Sequence, residues 1–171
     1  MRVYLMGFMG AGKTTVGRAL AARLSWPFVD LDAEIEAAAG ASVRDIFAAR
    51  GEPAFRALER EALLRTLERD PLVVATGGGT FVQAANLEAV RRGGLTVWLN
   101  PPFATIAARV GALGKEDRPL FRDETQALAL YRERLAVYRR ADLTLDVAAE
   151  ELPEEVASRL ALRLAEHTCA S

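Results

Sequence analysis

The chain has 171 residues and a net charge of −1 at pH 7, which fits one soluble domain over residues 1–171 and gives no basic excess to favour a nucleic-acid partner. Its one histidine and one cysteine, His167 and Cys169, lie within the last five residues, which argues against a Ser-His-Asp triad, a Cys-His dyad, a Cys/His zinc site and any disulfide. No apolar run approaches the roughly 18 residues of a membrane helix, so we expect a cytoplasmic protein with no membrane partner.

Short apolar runs alternate with longer helical patterns along the chain. The predicted strands are Arg2–Met6, Pro27–Val29, Leu72–Ala75, Leu95–Leu99 and Leu143–Leu145. The predicted helices are Lys13–Leu24, Ala33–Ala39, Val43–Ala49, Pro53–Arg69, Ala84–Arg92, Phe103–Arg109, Thr125–Arg140 and Pro153–Glu166. Because the strands lack polar alternation and are separated by helices, the pattern predicts an α/β fold with a parallel sheet covered on both faces.

A glycine-rich segment between the first strand and the first helix fits G-x-x-x-x-G-K-[ST] over residues 7–14. Glycines let backbone N–H groups curl around a phosphate, and the helix N-terminus adds partial positive charge. Lys13 can reach the β- and γ-phosphates of a nucleoside triphosphate, and the Thr14 hydroxyl can ligate Mg²⁺. The alternative is a glycine turn with an incidental lysine. The predicted ATP contacts in this segment are Gly10, Ala11, Gly12, Lys13, Thr14 and Thr15.

Other nucleotide-binding classes fit the chain poorly. GTPases carry an [NT]-K-x-D motif for base recognition, whereas Lys115 follows Gly114 and precedes Glu116 and Asp117. A motor or large ATPase needs a longer chain. The remaining class is a small kinase.

Two carboxylates, Asp30 and Asp32, close the second predicted strand at the edge where parallel sheets bind ligands. Next to a nucleoside triphosphate, one acid can hold Mg²⁺ while the other orients or deprotonates an acceptor hydroxyl. The alternative is a structural role in which a strand-end aspartate caps the following helix, which Asp32 could also do.

Arginines and a glycine triplet complete the candidate residues. Arg56 and Glu59 are neighbours on a predicted helix, and composition alone would favour a surface ion pair. Arg118 and Arg134 would likewise be surface arginines by default, although arginine suits bidentate carboxylate or phosphate binding. The triplet Gly77-Gly78-Gly79 follows a buried strand and removes side chains, so that a small ligand can approach the backbone.

Taken in order, these segments resemble shikimate kinases over nearly the whole chain. The residues that carry the resemblance are Gly7–Thr15; Phe28-Val29-Asp30-Leu31-Asp32 with Glu36 and Gly40; Asp45-Ile46-Phe47; Gly51-Glu52-x-x-Phe55-Arg56-x-x-Glu59; Thr76-Gly77-Gly78-Gly79; Arg118-Pro119-Leu120; and Arg134-x-x-x-Tyr138. The resemblance implies a doubly wound sheet of five parallel strands, a helical substrate-binding region over about 32–60 and a mobile lid over about 111–124.

The same resemblance implies ATP-dependent phosphorylation of the 3-hydroxyl of shikimate, on the route to chorismate and the aromatic amino acids. Asp32 matches the acid that binds the substrate hydroxyls and is the candidate base, while Arg118 matches the lid arginine that reaches the ATP phosphates. The other matches are Arg56 and Arg134 for the substrate carboxylate, Gly77, Gly78 and Gly79 along the substrate, Thr14 and Asp30 for Mg²⁺, and Glu59 as the acid that positions Arg56.

Residues 146–153 contain no arginine or threonine where many shikimate kinases place adenine contacts. We therefore expect adenine to rest mainly on backbone groups, and the role of Arg109 stays open. Two alternatives to this function also stay open, namely another small-molecule or nucleotide kinase and an inactive ligand-binding relative. We expect ATP and shikimate to be the partners of a monomer.

Overall fold

The computed structural model describes residues 1–112 and 123–169. Arg118 and most of the predicted lid lie outside these residues. Within them, at the two ends of the predicted lid, Gly111, Ala112 and Glu124 are helical.

Five parallel strands form one sheet in the order β2-β3-β1-β4-β5. Their bounds are β1 Arg2–Met6, β2 Phe28–Asp30, β3 Leu72–Ala75, β4 Gly94–Asn100 and β5 Leu143–Asp146. All four residues of β3 are buried, as in a sheet that is covered on both faces. The predicted parallel α/β fold is confirmed.

Seven helices cover the sheet in the described residues: α1 Lys13–Leu24, α2 Leu31–Ala39, α3 Val43–Thr66, α4 Ala84–Arg91, α5 Phe103–Ala112, α6 Glu124–Tyr138 and α7 Pro153–Cys169. A short 3-10 turn, Thr80–Val82, precedes α4. No helix in the described part of the chain is long and apolar enough to cross a membrane.

Alternate residues of β1 face two separate cores, as the pleat requires. Tyr4 and Met6 belong to the core formed with α2 to α6, whereas Val3 and Leu5 belong to the core formed with α1 and α7. Residues at the carboxyl ends of the strands are therefore held between two packed layers.

Two helix boundaries differ from the prediction for local reasons. Helix α2 begins at Leu31 because Asp30, in an extended conformation, accepts hydrogen bonds from the amides of Asp32 and Ala33. Helix α3 continues where two helices were predicted, but Gly51 inside it has φ 78° and ψ 172°, so the predicted break is present as a kink.

Candidate active site

The phosphate loop lies at the carboxyl end of β1. Gly10 and Gly12 have φ of 80° and 93°, values that favour glycine and turn the loop around the start of α1. Gly12 is the N-cap residue and no side chain caps the helix, so the first-turn amides stay available to an anion. Thr15 is exposed and donates its hydroxyl to the Gly12 carbonyl at 3.1 Å.

The Lys13 side chain turns back onto the phosphate loop. Its Nζ donates to the carbonyl oxygens of Gly7 and Phe8 at 2.8 and 2.9 Å. Desolvation lowers the pKa of Lys13 to about 8, with the nearby Asp32 carboxylate acting in the opposite direction. The ammonium is therefore predominantly charged at neutral pH and is held near the position that a phosphate would take.

Thr14 and Asp30 form a pair of hard oxygen ligands beside this loop. The Thr14 hydroxyl donates to Asp30 Oδ2 at 2.6 Å, while Asp30 Oδ1 caps α2. The alternative of a capping role for Asp32 was therefore wrong, because Asp30 makes those bonds. Residues 1–112 and 123–169 hold no cluster of three or more His, Cys, Asp or Glu side chains suited to a metal. The pair fits Mg²⁺, which binds through one or two protein oxygens and completes its shell with water and phosphate.

The Asp32 carboxyl group faces the interior of the site without a partner. Its Oδ1 is buried and has no hydrogen bond, and it lies 3.4 Å from the point where a Cβ on Gly77 would stand. Burial first, and then the Asp30 and Glu59 carboxylates, raise the pKa of Asp32 to about 6 against the opposing effect of Lys13. An unsatisfied acceptor at this depth is costly unless a ligand supplies the donor.

Arg56 is fixed by two carboxylates of its own helix. Its Nη1 donates to Glu59 Oε2 at 2.8 Å and its Nη2 to Glu52 Oε1 at 3.1 Å. Glu59 is fully buried, and its other oxygen accepts the Thr80 hydroxyl at 2.6 Å. The pair of Arg56 and Glu59 is thus part of a buried network and not the surface ion pair that composition suggested.

Arg134 reaches the same place from α6. It is buried, and its Cζ lies 5.8 Å from the centre of the Phe8 ring. The Tyr138 hydroxyl donates to the Gly78 carbonyl at 2.7 Å, which fixes the glycine triplet. A Cβ on Gly78 would lie 3.1 Å from Arg134 Nη1.

Two buried residues that help to hold the site in place, Thr80 and Asn86, were not predicted from the sequence. Thr80 and Asn86 are fully buried, and the Asn86 amide donates to the Thr80 carbonyl at 2.8 Å while its oxygen accepts from Arg60. The position of Thr80 directly after three glycines was the one available signal. Their hydrogen-bond partners Glu59 and Arg60 lie on α3, more than 20 residues earlier in the chain.

Three of the cavities at this edge of the sheet bear on the predicted phosphate, substrate and nucleoside positions. One of about 310 Å³ contains Lys13, Thr14 and Asp30, and a smaller one of about 80 Å³ contains Arg56 and Arg134. These two share Met9, Asp32, Gly77 and Gly78. The third, of about 380 Å³, lies on the other side of the phosphate loop and is lined by Gly10, Ala11, Gly12, Thr15, Val16, Arg109, Val147, Glu151, Pro153 and Val156.

The structure thus brings together every predicted site residue except Arg118, which lies outside the described ranges. Asp32 stands at the junction between a phosphate cavity and a cavity lined by two guanidinium groups. The geometry suits phosphoryl transfer to a hydroxyl of a small carboxylic acid, and the individual residue roles stay predictions.

Comparisons with known proteins agree with this arrangement. The family model described as shikimate kinase matches residues 9–165. A shikimate kinase of Paramagnetospirillum magneticum is 42% identical over 161 residues, which cover 92% of this chain and 81% of the relative. The solved shikimate kinase of Acinetobacter baumannii, in complex with shikimate, has a TM-score of 0.91 and 35% identity over 97% of this chain and 93% of that one. The shikimate kinase of Aquifex aeolicus has a TM-score of 0.85 and 34% identity over the full length of both chains. The chain belongs to the shikimate kinase family of ATP-dependent phosphotransferases.

Proposed function

We propose that this protein transfers the γ-phosphoryl group of ATP to the 3-hydroxyl of shikimate, giving shikimate 3-phosphate and ADP. Family membership supports the reaction. The observation in this chain that carries it is the unpartnered, buried Oδ1 of Asp32 at the junction of the two cavities. A substrate hydroxyl placed there donates the hydrogen bond that the carboxylate lacks.

The phosphates of ATP occupy the cavity beside α1, where Lys13 exchanges its two carbonyl contacts for phosphate oxygens. The amides of residues 10–15 and the helix N-terminus add further positive potential. Thr14 and Asp30 hold Mg²⁺, which when bound offsets negative charge on the β- and γ-phosphates. From the sequence resemblance, Arg118 adds a further positive charge from the lid.

The carboxylate of shikimate binds between Arg56 and Arg134. Both guanidinium groups stand within 3.1 Å of the point where a Cβ on Gly79 would lie, so they converge on one place beside the glycine triplet. Arg56 is held in place by Glu52 and Glu59, and a pre-ordered guanidinium loses little freedom on binding. This anchor directs the far side of the substrate ring towards Asp32.

In the chemical step, the hydroxyl oxygen forms a bond to the γ-phosphorus while the bond to the bridging oxygen of ADP breaks. The proton of the hydroxyl passes to the Asp32 carboxylate. With a pKa of about 6, Asp32 is largely ionised at pH 7 and accepts the proton near the operating pH, where general bases are most effective. Lys13 stabilises charge on the transferring group, and most of the catalysis comes from positioning.

The nucleoside of ATP occupies the third cavity. This cavity adjoins residues 10–15, offers apolar walls from Val147, Pro153 and Val156, and includes Arg109, whose Nη1 donates to the Gly10 carbonyl at 2.9 Å. Its apolar lining suits the faces of a purine. Arg109 is thereby tied to the phosphate loop as well as to the cavity.

A coupled assay of ADP release with shikimate, run beside gluconate, AMP and CMP, tests the acceptor. We expect turnover with shikimate alone, and equal turnover with another acceptor would refute the assignment. Asp32→Asn should abolish transfer and leave ATP binding intact, whereas a fully active variant would remove Asp32 from the chemistry. Arg118→Ala should lower kcat far more than it weakens shikimate binding, and unchanged activity would reject the lid role.

A further inference from the structure

The segment 147–152 connects β5 to α7 and forms one wall of the third cavity. Val147 and Glu151 face that cavity from this segment, and Pro153 and Val156 continue the wall into α7. The opposite wall is the phosphate loop with α1. The shape of the cavity therefore depends on how segment 147–152 is held.

A single side chain of α7 holds this segment at two points. Arg159 donates from Nε and Nη2 to the two oxygens of Glu151, at 2.7 and 2.8 Å, in the bidentate geometry that gives ion pairs their specificity. Nη2 also donates to the Asp146 carbonyl at the end of β5, at 2.6 Å. The Glu151 carboxylate in turn accepts the amide of Ala148 at 3.1 Å. Both ends of the segment are thus tied to one guanidinium.

The polar side chains that line the cavity are all engaged with the protein itself. Arg109 donates to the Gly10 carbonyl, Thr15 to the Gly12 carbonyl, and Glu151 is taken by Arg159. Recognition of a nucleoside in this cavity then depends on apolar contact and on backbone groups, including those of segment 147–152. Backbone recognition requires a fixed backbone, because ordering a loose segment on binding costs free energy.

We propose that Arg159 is a positioning residue for the nucleotide, which acts through Glu151 to keep segment 147–152 in its binding conformation. This proposal rests on the proposed function, in that the nucleoside is placed in the third cavity. Arg159 does not itself line the third cavity and is 47% exposed at its side chain, whereas Glu151, which lines it, is 13% exposed.

Anchoring of the helix itself does not depend on Arg159. Helix α7 is packed into the core through Val156, Ala157, Leu160 and Leu164, which are all buried. Loss of the guanidinium should therefore loosen segment 147–152 and leave the helix in place. This separation makes a positioning role distinguishable from a general contribution to folding.

The test compares Arg159→Gln with Arg163→Gln. Arg163 lies one turn further along the same helix, is 53% exposed, and meets Glu166 at only 4.0 Å, so it matches Arg159 in charge and setting but not in contact with the segment. In Arg159→Gln we expect the KM for ATP to rise roughly three- to tenfold, as for the loss of an ordered, partly buried pair. The KM for shikimate, kcat and Tm should stay close to those of Arg163→Gln.

Arg159→Lys adds a conservative variant. A lysine keeps the charge but cannot form the fork, so we expect a KM for ATP between those of the wild type and Arg159→Gln. Equal ATP affinity in all variants would overturn the proposal. A parallel rise in both KM values with a large fall in Tm would also overturn it, because that pattern indicates a structural role.

Calorimetry with MgADP separates this proposal from the proposed function. If the wild type binds MgADP but does not phosphorylate shikimate, the proposed function fails, and the MgADP affinities of Arg159→Gln and Arg163→Gln still decide the role of Arg159. Weaker binding in Arg159→Gln alone supports the role, and equal binding refutes it.

Discussion

Replacing Gly79 with alanine tests how closely the substrate site is packed. Gly79 has φ −109° and ψ 0°, which alanine can adopt, so the backbone itself does not oppose the change. The added Cβ would lie 2.5 Å from Arg56 Nη2 and 3.1 Å from Arg134 Nη2. The strain therefore falls on the two guanidinium groups proposed to bind the substrate carboxylate.

The size of the effect follows from how firmly Arg56 is held. Its Nη2 must retreat by about 0.9 Å to reach an ordinary contact of 3.4 Å, and Glu52 and Glu59 hold the guanidinium on the other side. A hydrogen bond to a charged group contributes about 1.5–3 kcal/mol, so misalignment of one such bond with the substrate raises KM roughly ten- to a hundredfold.

Steady-state kinetics with each substrate varied in turn measure the change. We expect Gly79→Ala to raise the KM for shikimate and to leave the KM for ATP near that of the wild type. Gly93→Ala is the matched control, because its Cβ would stand 2.7 Å from the tip of Arg2, beside the start of β1 and far from the site. A KM for shikimate within twofold of the wild type in Gly79→Ala would refute the placement of the carboxylate.

Four further predictions concern the titration of Asp32 and Lys13 and the hydrogen bond of Tyr138. Because the pKa of Asp32 in the free enzyme is raised to about 6, kcat/KM for shikimate should fall as pH drops through 6, and a flat kcat/KM profile between pH 5 and 8 would contradict its role as base. The folded state binds the Asp32 proton more tightly than the unfolded state does, so stability falls as pH rises from about 4 to about 6 and stays lower above that, and Asp32→Asn should raise Tm at pH 8 but not at pH 4. With the pKa of Lys13 near 8, MgATP binding at pH 8 should take up protons, and calorimetry in buffers of different ionisation enthalpy should detect this; equal heats would contradict it. Tyr138→Phe leaves the Gly78 carbonyl without its donor and should cost about 1–3 kcal/mol of stability, whereas Tyr131→Phe should cost less; equal Tm values would contradict the contact.

Local signals predicted the fold most accurately. The strand Arg2–Met6 and the helix Lys13–Leu24 have the bounds predicted for them, because a run of buried apolar residues, a glycine loop and a helical pattern follow one another without interruption. The second strand was predicted one residue too early. Its position is set by pairing with β3, where Phe28 lies opposite Val73 and Asp30 opposite Ala75, and no local pattern contains that register.

The residues proposed to bind substrate could be predicted, but the residues that hold them in position could not. Asp32 was singled out by its position after the second predicted strand, where a carboxylate suits the chemistry. Arg56 and Arg134 were assigned only through the resemblance to shikimate kinases, because composition alone favoured surface arginines. Thr80 and Tyr138 were not assigned a role, because each acts through one hydrogen bond to a residue 21 or 60 positions away. The position of Thr80 after the glycines, and of Tyr138 four residues after Arg134, could mark these residues as candidates, but neither position reveals the hydrogen-bond partner.

The glycine triplet has one role in the sequence-based prediction and a more specific one in the structure. Three successive glycines predicted that a small ligand approaches the backbone. In the structure, the space that a Cβ would occupy at each position is already bounded by the protein, at 2.7 Å from Glu59 for Gly77, 3.1 Å from Arg134 for Gly78 and 2.5 Å from Arg56 for Gly79. The absence of side chains there thus makes room for the charged groups proposed to bind and position the substrate. Any larger residue in the triplet would act on the substrate through these groups before it touched the substrate itself.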